Sequence, residues 1–284
     1  MEKLVVESPS KINLGLNIVS KREDGYHNLE TIFLPLLLSD TINFSKSEEL
    51  TLNTDSDILN HLSDNLILKA IALVESYTNR KFTLEIFVQK TIPIGGGLGG
   101  GSSNAAVSLK AINKIFDLGL NFEVLSKLAL KLGSDVPYFL NPVPCYAGSR
   151  GEEIYPLNIE VPYPILIVNP RIKIDTSWAF TRIIPKKPLI SLKNILQDGI
   201  SDFDKLKKFV KNDFEETIFR EYPVIKQIKD DLYNQGAQFA LMSGTGSTVY
   251  GFFSNLQKAS YAREYFNQKY FTFLNNPFVK GSIT

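Results

Sequence analysis

The sequence contains one cysteine, Cys145, in 284 residues. A single thiol cannot form an internal disulfide bond, which suits a reducing compartment. No histidine lies near Cys145 in the sequence to act as its base, and the surrounding residues 144–148 are largely apolar. We therefore expect a buried structural role for this thiol rather than nucleophilic catalysis.

The net charge is also small, and the apolar runs are short. The formal net charge is +1, so the chain as a whole is not drawn to nucleic acid or to an anionic membrane. The longest apolar runs, such as residues 32–38, are far shorter than the roughly 20 residues of a membrane helix. The N-terminal segment MEKLVVESPSK lacks the apolar core of a signal peptide. We expect a cytoplasmic protein without nucleic-acid or membrane partners.

Length and composition indicate a folded protein of two domains. A chain of this length exceeds what one compact core usually holds, and an apolar content of 44% is typical of globular proteins. Proline and glycine are frequent between residues 143 and 164. We place the boundary there, which gives an N-terminal domain at residues 1–155 and a C-terminal domain at residues 156–284.

Strand and helix patterns follow one another along the chain, which predicts the α+β class. A cap at Asp64 and the glycine at Gly133 mark two of the helix ends. The predicted strands are residues 4–18, 31–38, 41–45, 82–89, 165–168, 237–242, 248–253 and 271–274. The predicted helices are residues 65–77, 123–132, 202–210, 224–235 and 259–268, with one more after a glycine-rich segment.

That segment, the glycine loop (residues 95–101), is the most informative part of the sequence. Its six glycines in seven residues cost backbone entropy, which a fold accepts where the main chain needs unusual dihedrals or approaches a ligand closely. The loop leads into a helix that Ser102 and Ser103 can cap. Unpaired N–H groups and the helix dipole meet there, which favours a diphosphate or triphosphate ligand. A flexible tether is the alternative.

Two common phosphate-binding patterns fit this loop poorly. A Walker-type loop needs a lysine after its last glycine, and none follows Gly101. Gly95, Gly97 and Gly100 match the dinucleotide pattern G-x-G-x-x-G, and Asp117 lies near the expected distance for a ribose carboxylate. However, Asp117 ends a predicted helix rather than a second strand.

The segment PIGGGLGGGSSNAA at residues 93–106 closely resembles the phosphate loop of the GHMP kinases, named after galactokinase, homoserine kinase, mevalonate kinase and phosphomevalonate kinase. Residues 8–16 with 22–27, residues 132–139 and the turn SGTGS at residues 243–247 extend the resemblance in the right order. Within that superfamily the motifs are most similar to those of kinases that phosphorylate 4-diphosphocytidyl-2-C-methyl-D-erythritol.

The resemblance implies a two-domain fold. The N-terminal, ATP-binding domain would resemble the second domain of ribosomal protein S5, and the C-terminal, substrate-side domain would be ferredoxin-like. The implied reaction transfers phosphate from ATP, with Mg²⁺, to the 2-hydroxyl of the cytidyl substrate in non-mevalonate isoprenoid precursor biosynthesis. A monomer or a weak homodimer is expected.

Two residues carry the implied chemistry, Lys11 and Asp135. Lys11 and Asn13 lie two positions apart on a predicted strand, so both side chains leave the same face. From the residues alone, Lys11 would sit on a solvated strand face and Asp135 would cap a helix that begins at Pro137. The resemblance implies that Lys11 stabilises the attacking alkoxide and that Asp135 is the base. Such a pair supplies the proton acceptor and the cation that the transfer needs.

The resemblance also implies binding roles. Tyr26 would stack on cytosine and His27 would hydrogen-bond to it. Phe180 would face Tyr26 across the base, with Trp178 as the alternative for this second aromatic. Core positions on a short helix are the other interpretation of Phe180 and Trp178. The other implied substrate-binding residues are Asn13, Thr245 and Gly246. The implied ATP-binding residues are Asn65, Lys90, Gly95, Gly96, Gly97, Leu98, Gly99, Gly100, Gly101, Ser102 and Ser103. The sequence does not show the magnesium ligands; Ser103 is a candidate.

Two other functions remain open from the sequence. A GHMP-type kinase for another small alcohol, such as homoserine or mevalonate, would need no aromatic platform for a base. An RNA-binding module would share the implied N-terminal fold, but a near-zero net charge and the lack of a basic and aromatic stripe argue against it.

Overall fold

The computed structural model describes residues 3–56, 65–196, 199–200 and 202–278. In this part of the chain there are two β-sheets, one of six strands and one of four, with helices packed on both. The α+β class predicted from the sequence is confirmed. The predicted helix cap Asp64 lies outside the described residues.

The N-terminal sheet is built on one long antiparallel pair. Strand β1 (Lys3–Lys21) runs beside strand β2 (His27–Lys46), and the register shifts at three places along them. Pairing continues through Pro35, which lies opposite Lys11, and through Asp40, which lies opposite Ser8. The prediction of separate strands at residues 31–38 and 41–45 is wrong, because pairing with β1 carries β2 across the polar break between them.

Four short strands complete this sheet, in the order β3-β4-β2-β5-β6 with β1 beside β2. They are β3 (Thr51–Thr54), β4 (Leu84–Gln89), β5 (Cys145–Gly148) and β6 (Glu153–Pro156). The helices of this half are α1 (Leu66–Thr78), α2 (Gly100–Ile115), α3 (Phe122–Leu132) and the 3-10 helix Pro137–Leu140. They cover one face of the sheet, and Cys145 is buried beneath them as expected.

The C-terminal sheet is antiparallel throughout, in the order β10-β7-β9-β8. Its strands are β7 (Ile165–Asn169), β8 (Phe239–Met242), β9 (Val249–Phe252) and β10 (Phe271–Asn275). The helices of this half are α4 (Thr176–Arg182), α5 (Leu192–Leu196), α6 (Phe203–Phe209), α7 (Glu215–Glu221), α8 (Pro223–Asn234) and α9 (Leu256–Asn267). None of the helices in the described ranges has the length and hydrophobicity that a membrane crossing requires.

The two sheets share a core. Ile12 and Leu14 of β1 belong to the same buried apolar cluster as Ile167 of β7 and Tyr250 of β9, while α8 and α9 cover the other face of the C-terminal sheet. Residues 8–18 of β1 are therefore buried on both faces, and Lys11 is only 3% exposed. The solvated-face interpretation of Lys11 is wrong for this reason. The domain boundary between residues 155 and 156 stays a prediction.

Helix α2 begins earlier than the sequence predicts. Its N-cap is Gly99, which has a φ of 74° and makes no side-chain capping bond. Ser102 and Ser103 lie inside the helix, and the Ser103 hydroxyl forms a hydrogen bond with the Ser8 hydroxyl at 2.8 Å. The predicted serine cap is wrong, because a left-handed glycine, which pays no Cβ penalty, already starts the helix.

The two halves meet where the glycine loop touches the second glycine turn (residues 243–247). A Cβ on Gly246 would lie 2.1 Å from both the carbonyl carbon of Gly96 and the nitrogen of Gly97. The Thr248 N–H donates a hydrogen bond to the Gly96 carbonyl at 3.2 Å. This contact between main chains fixes the glycine loop against the C-terminal sheet.

We expect Gly246→Ala to destabilise the protein, because the new methyl group must displace main chain rather than a flexible side chain. Overpacking of this kind costs about 1–3 kcal/mol, and each kcal/mol lowers the melting temperature of a chain this long by about 2–4 °C. Thermal unfolding followed by circular dichroism measures the change.

Gly101→Ala is the matched control for this substitution. Its Cβ would meet only Leu66 Cδ1, at an ordinary 3.6 Å, so the melting temperature should not fall. Equal melting temperatures for Gly246→Ala and the wild type would show that the two turns are not in close contact.

Candidate active site

The buried ammonium of Lys11 lies at the centre of the site. Its Nζ donates a hydrogen bond to Asn13 Oδ1 at 2.5 Å and lies 3.4 Å from Asp135 Oδ2. The ring of Phe33 lies 4.7 Å from the same nitrogen. The fold thus brings Asp135 to Lys11 and Asn13, from which it is distant in the sequence.

The electrostatics of this group follow from its burial. Burial lowers the pKa of Lys11 from its ordinary value, and the neighbouring Asp135 carboxylate opposes that change. The Asp135 side chain is 36% exposed and lines the main cavity of the site. The interpretation of Asp135 as a helix cap is wrong, since Val136 is the N-cap of the 3-10 helix and makes no side-chain capping bond.

A chain of hydrogen bonds orients the amide of Asn13. Its Nδ2 donates to Thr31 Oγ1 at 2.9 Å, and the Thr31 hydroxyl donates to the Gly15 carbonyl at 2.6 Å. Because the Thr31 hydroxyl donates its one proton to Gly15, it can only accept a hydrogen bond from Asn13. The Asn13 amide therefore turns its nitrogen toward Thr31 and its oxygen toward Lys11. Sequence reasoning missed Thr31, because its role arises from the bulge in β1 at Gly15, where φ is 84°.

The glycine loop has the geometry of an anion site. Gly95, Gly97 and Gly99 all take the left-handed conformation, with φ of 68°, 79° and 74°. Alternation of left-handed and ordinary residues turns successive N–H groups toward one side of the chain and forms a concave nest for anions. Only glycine adopts this conformation without strain, which explains three of the six glycines in the loop.

Two cavities meet at the glycine loop. The larger, of about 780 Å³, is the acceptor-side cavity and contains Lys11 and Asp135 in its wall. The smaller, of about 330 Å³, is the loop-side cavity and is lined by the glycine loop with Asn65 and Lys90. Both are lined by Gly97, Gly99 and Ser102. Ligands in the two cavities would therefore approach each other beside the Lys11–Asp135 pair.

The acceptor-side cavity also has an aromatic part. His27 and Phe180 both line it, and their ring centroids lie 5.2 Å apart with planes inclined at 31°. Phe180 is held from behind by Phe214, at 4.9 Å between centroids. Trp178 instead packs against Tyr222, at 6.1 Å, and is not among the residues that line the cavity. Phe180, rather than Trp178, is the aromatic residue of α4 in this wall.

Tyr26 and His27 differ in their surroundings. Tyr26 is 52% exposed, and the Arg150 guanidinium lies 4.5 Å from its ring centroid, so it covers one face of the ring. Partial burial, and then the positive charge of Lys21, lower the pKa of His27. A lower pKa favours the neutral imidazole, in which one nitrogen donates and one accepts.

Some implied site residues do not present their side chains to a cavity. Ser103 is fully buried, lines neither cavity and is bonded to Ser8, so its hydroxyl does not serve as a ligand in this arrangement. Gly246 packs against the glycine loop instead of lining the acceptor-side cavity, whereas Thr245 lines it. Asn65 lines the loop-side cavity, and its side chain also caps α1.

Lys90 has a partner that the sequence did not reveal. Its ammonium is ion-paired with the fully buried Asp40. The other oxygen of Asp40 accepts from the N–H groups of Thr91 and Ile92, each at 2.9 Å. Asp40 thus anchors the segment that leads from β4 into the glycine loop. An acidic residue between two apolar stretches of β2 was the only signal for it.

Comparisons with known proteins identify the family of the chain. Residues 65–143 match the family model of the GHMP kinases N terminal domain, and residues 191–272 match that of the GHMP kinases C terminal domain. A 4-diphosphocytidyl-2-C-methyl-D-erythritol kinase of Bacteroides fragilis is 41% identical over 258 residues, which cover 88% of this chain and 92% of the relative.

Solved structures give the same result. A 4-(cytidine 5'-diphospho)-2C-methyl-D-erythritol kinase superposes with a TM-score of 0.81 at 29% identity, covering 96% of this chain and 98% of the other. A homoserine kinase from Cytophaga hutchinsonii, at 15% identity and a TM-score of 0.72 over 97% and 95% of the two chains, shares the fold. The chain belongs to the GHMP kinases, which are ATP-dependent phosphotransferases.

Proposed function

We propose that this kinase transfers the γ-phosphate of ATP to the 2-hydroxyl of 4-diphosphocytidyl-2-C-methyl-D-erythritol, a step in non-mevalonate isoprenoid precursor synthesis. The observation that carries the proposal is the acceptor-side cavity. It combines a Lys11–Asp135 pair beside the glycine loop with an aromatic part formed by Tyr26, His27 and Phe180. The names of relatives more than 35% identical support the same acceptor.

In this proposal Asp135 accepts the proton of the acceptor hydroxyl. The hydroxyl oxygen forms a bond to the γ-phosphorus of ATP while the bond between that phosphorus and the ADP oxygen breaks, and ADP leaves. The partial exposure of Asp135 lets an acceptor reach its carboxylate. Lys11 supplies the positive charge that favours the alkoxide, and the low polarity around it strengthens that effect. Asn13 keeps the ammonium aimed at the reacting oxygen through its amide carbonyl.

The glycine loop fits the phosphates of ATP, because its left-handed glycines direct N–H groups toward one side. The same junction fits Mg²⁺, which prefers phosphate oxygens and waters with one or two protein oxygens. The Asp135 carboxylate and the Ser102 hydroxyl are among the protein oxygens that line the acceptor-side cavity. Mg²⁺ would neutralise charge on the transferred phosphate. Asn65 and Lys90 would contact the adenosine part of ATP in the loop-side cavity.

The aromatic part of the cavity suits a nucleobase. A cytosine ring would stack between Tyr26 and Phe180, with the neutral imidazole of His27 at its polar edge. Base stacking on aromatic side chains is worth about 1–3 kcal/mol per base. Homoserine or mevalonate would leave this part of the wall without a partner. Residues 1–155 would then form the ATP-binding domain, and residues 156–284 would supply Phe180 and Thr245 to the acceptor.

Phosphoryl transfer is tested with ATP, Mg²⁺ and four acceptors: the cytidyl substrate, mevalonate, homoserine and galactose. We expect transfer to the cytidyl substrate alone, with the product identified by mass and by phosphorus NMR. Asp135→Asn and Lys11→Met should each lower kcat by about 10²-fold or more, because each removes a group that acts on the transferred proton or on the alkoxide.

Calorimetric titration with an ATP analogue provides the control, since both variants should still bind it. Transfer to another acceptor would contradict the cytosine assignment and leave the kinase intact. Full activity of either variant would contradict its catalytic role.

Phe180→Ala should raise the KM of the cytidyl substrate by about 5- to 150-fold, which corresponds to the loss of about 1–3 kcal/mol of stacking. The KM of ATP should stay within twofold of wild type. Trp178→Ala, on the same helix, should leave both KM values unchanged. A raised KM of the cytidyl substrate in Trp178→Ala, with no change in Phe180→Ala, would assign the stacking position to Trp178.

Thr31→Val should move the alkaline limb of the pH profile of kcat. Without the Thr31 hydroxyl, the Asn13 amide is no longer held with its oxygen toward Lys11, and the charged form of Lys11 loses a hydrogen bond. The pKa of a lysine falls when its ammonium is destabilised, so the limb should move to lower pH by about one unit.

Thr31→Ser keeps the hydroxyl and should keep the limb at its wild-type position. A Thr31→Val enzyme with an unshifted alkaline limb would contradict the orienting role of Thr31.

A further inference from the structure

Three main-chain carbonyl groups of the glycine loop accept hydrogen bonds from donors outside the loop. The Gly96 carbonyl accepts from the Thr248 N–H at 3.2 Å, and the Leu98 carbonyl accepts from the Lys11 N–H at 3.0 Å. Between them, the Gly97 carbonyl accepts from the Ser243 hydroxyl at 2.9 Å. Of these three donors, only the Ser243 hydroxyl belongs to a side chain.

These bonds determine where the loop N–H groups point. In a trans peptide the C=O and the following N–H point in opposite directions, and the described residues contain no cis peptide. The N–H groups of Gly97, Leu98 and Gly99 therefore point away from the C-terminal sheet and β1. None of the three donates to a main-chain carbonyl in the part of the chain that the structure describes. All three residues line the loop-side cavity.

A run of glycines cannot hold this orientation alone. The peptide between Gly97 and Leu98 has no Cβ on its Gly97 side, so side-chain sterics restrict its rotation less than at other residues. The hydroxyl of the fully buried Ser243 adds a constraint on this peptide. Its Oγ also accepts from the Asn13 N–H at 3.2 Å, so one hydroxyl joins the strand that carries Lys11 to the glycine loop.

We propose that Ser243 is a positioning residue for the nucleotide. Its hydroxyl holds the Gly97 carbonyl, and thereby turns the Leu98 N–H toward the phosphates of ATP. The second glycine turn thus serves the donor side of the reaction as well as the acceptor side, where Thr245 lies. This inference rests on the proposed binding of ATP phosphates by the glycine loop.

The test compares Ser243→Ala with Ser247→Ala. Ser247 lies in the same turn, is equally buried and donates to the Ile172 carbonyl at 2.6 Å, so its loss also removes a buried hydroxyl bond. Both variants should lose similar thermal stability. Only Ser243→Ala should weaken binding of a non-hydrolysable ATP analogue, by about tenfold for the loss of one hydrogen bond of about 1.4 kcal/mol. Isothermal titration with the analogue and with adenosine measures this.

Adenosine, which lacks phosphates, should bind Ser243→Ala as it binds the wild type, and the KM of the acceptor should change by less than twofold. Unchanged affinity of Ser243→Ala for the ATP analogue would overturn the inference. An equal loss for adenosine, or an equal loss in Ser247→Ala, would also overturn it and indicate a purely structural role. Failure of the wild type to bind the ATP analogue would instead contradict the proposed role of the glycine loop.

Discussion

The contact between the two glycine turns is the constraint on which the site depends. Gly246 approaches the main chain of Gly96 and Gly97 so closely that no side chain fits between them. The glycine loop, which lines the loop-side cavity, is thereby fixed to the second glycine turn, which lines the acceptor-side cavity, although the two adjoin different sheets. Because Lys11 also binds the loop through its main-chain N–H, strand β1, the loop and the C-terminal sheet are held in fixed positions relative to one another.

Burial of charge is the second constraint. An isolated ammonium in a protein core is costly, and Lys11 is retained there by Asn13, Asp135 and the ring of Phe33. The pair of Lys90 with buried Asp40 solves the same problem in the segment between β4 and the glycine loop. Lys11 in turn binds the loop itself, at the Leu98 carbonyl, through its main-chain N–H. A segment with little stiffness of its own is thus tied to rigid elements at two places.

The sequence predicts local features well and long-range ones poorly. The glycine loop, most strands and helices and the Lys11–Asp135 pair follow from composition, periodicity and resemblance. Thr31 and Asp40 do not, because each acquires its role from partners that only the pairing of strands brings near. The same reason accounts for one error of fold, because pairing with β1 carries β2 across a polar break. The error at the start of α2 has a local cause, since a left-handed Gly99, not a serine, starts that helix.

The proposed function divides the acceptor-side cavity into two parts with different tasks. In that proposal the Lys11–Asp135 pair would need only a hydroxyl group and would not discriminate among alcohols. Discrimination would fall to the aromatic part of the cavity, whose residues lie in the turn after β1, at the start of β2 and in the short helix α4. None of these segments forms the main-chain contact between the glycine turns, although Thr176 of α4 is hydrogen-bonded to Thr245 of the second glycine turn at 3.0 Å. Substitutions at Tyr26 and Phe180, rather than at Thr176, should therefore alter the choice of acceptor with the least effect on the loop and the buried lysine, and this is where selectivity among family members should be sought.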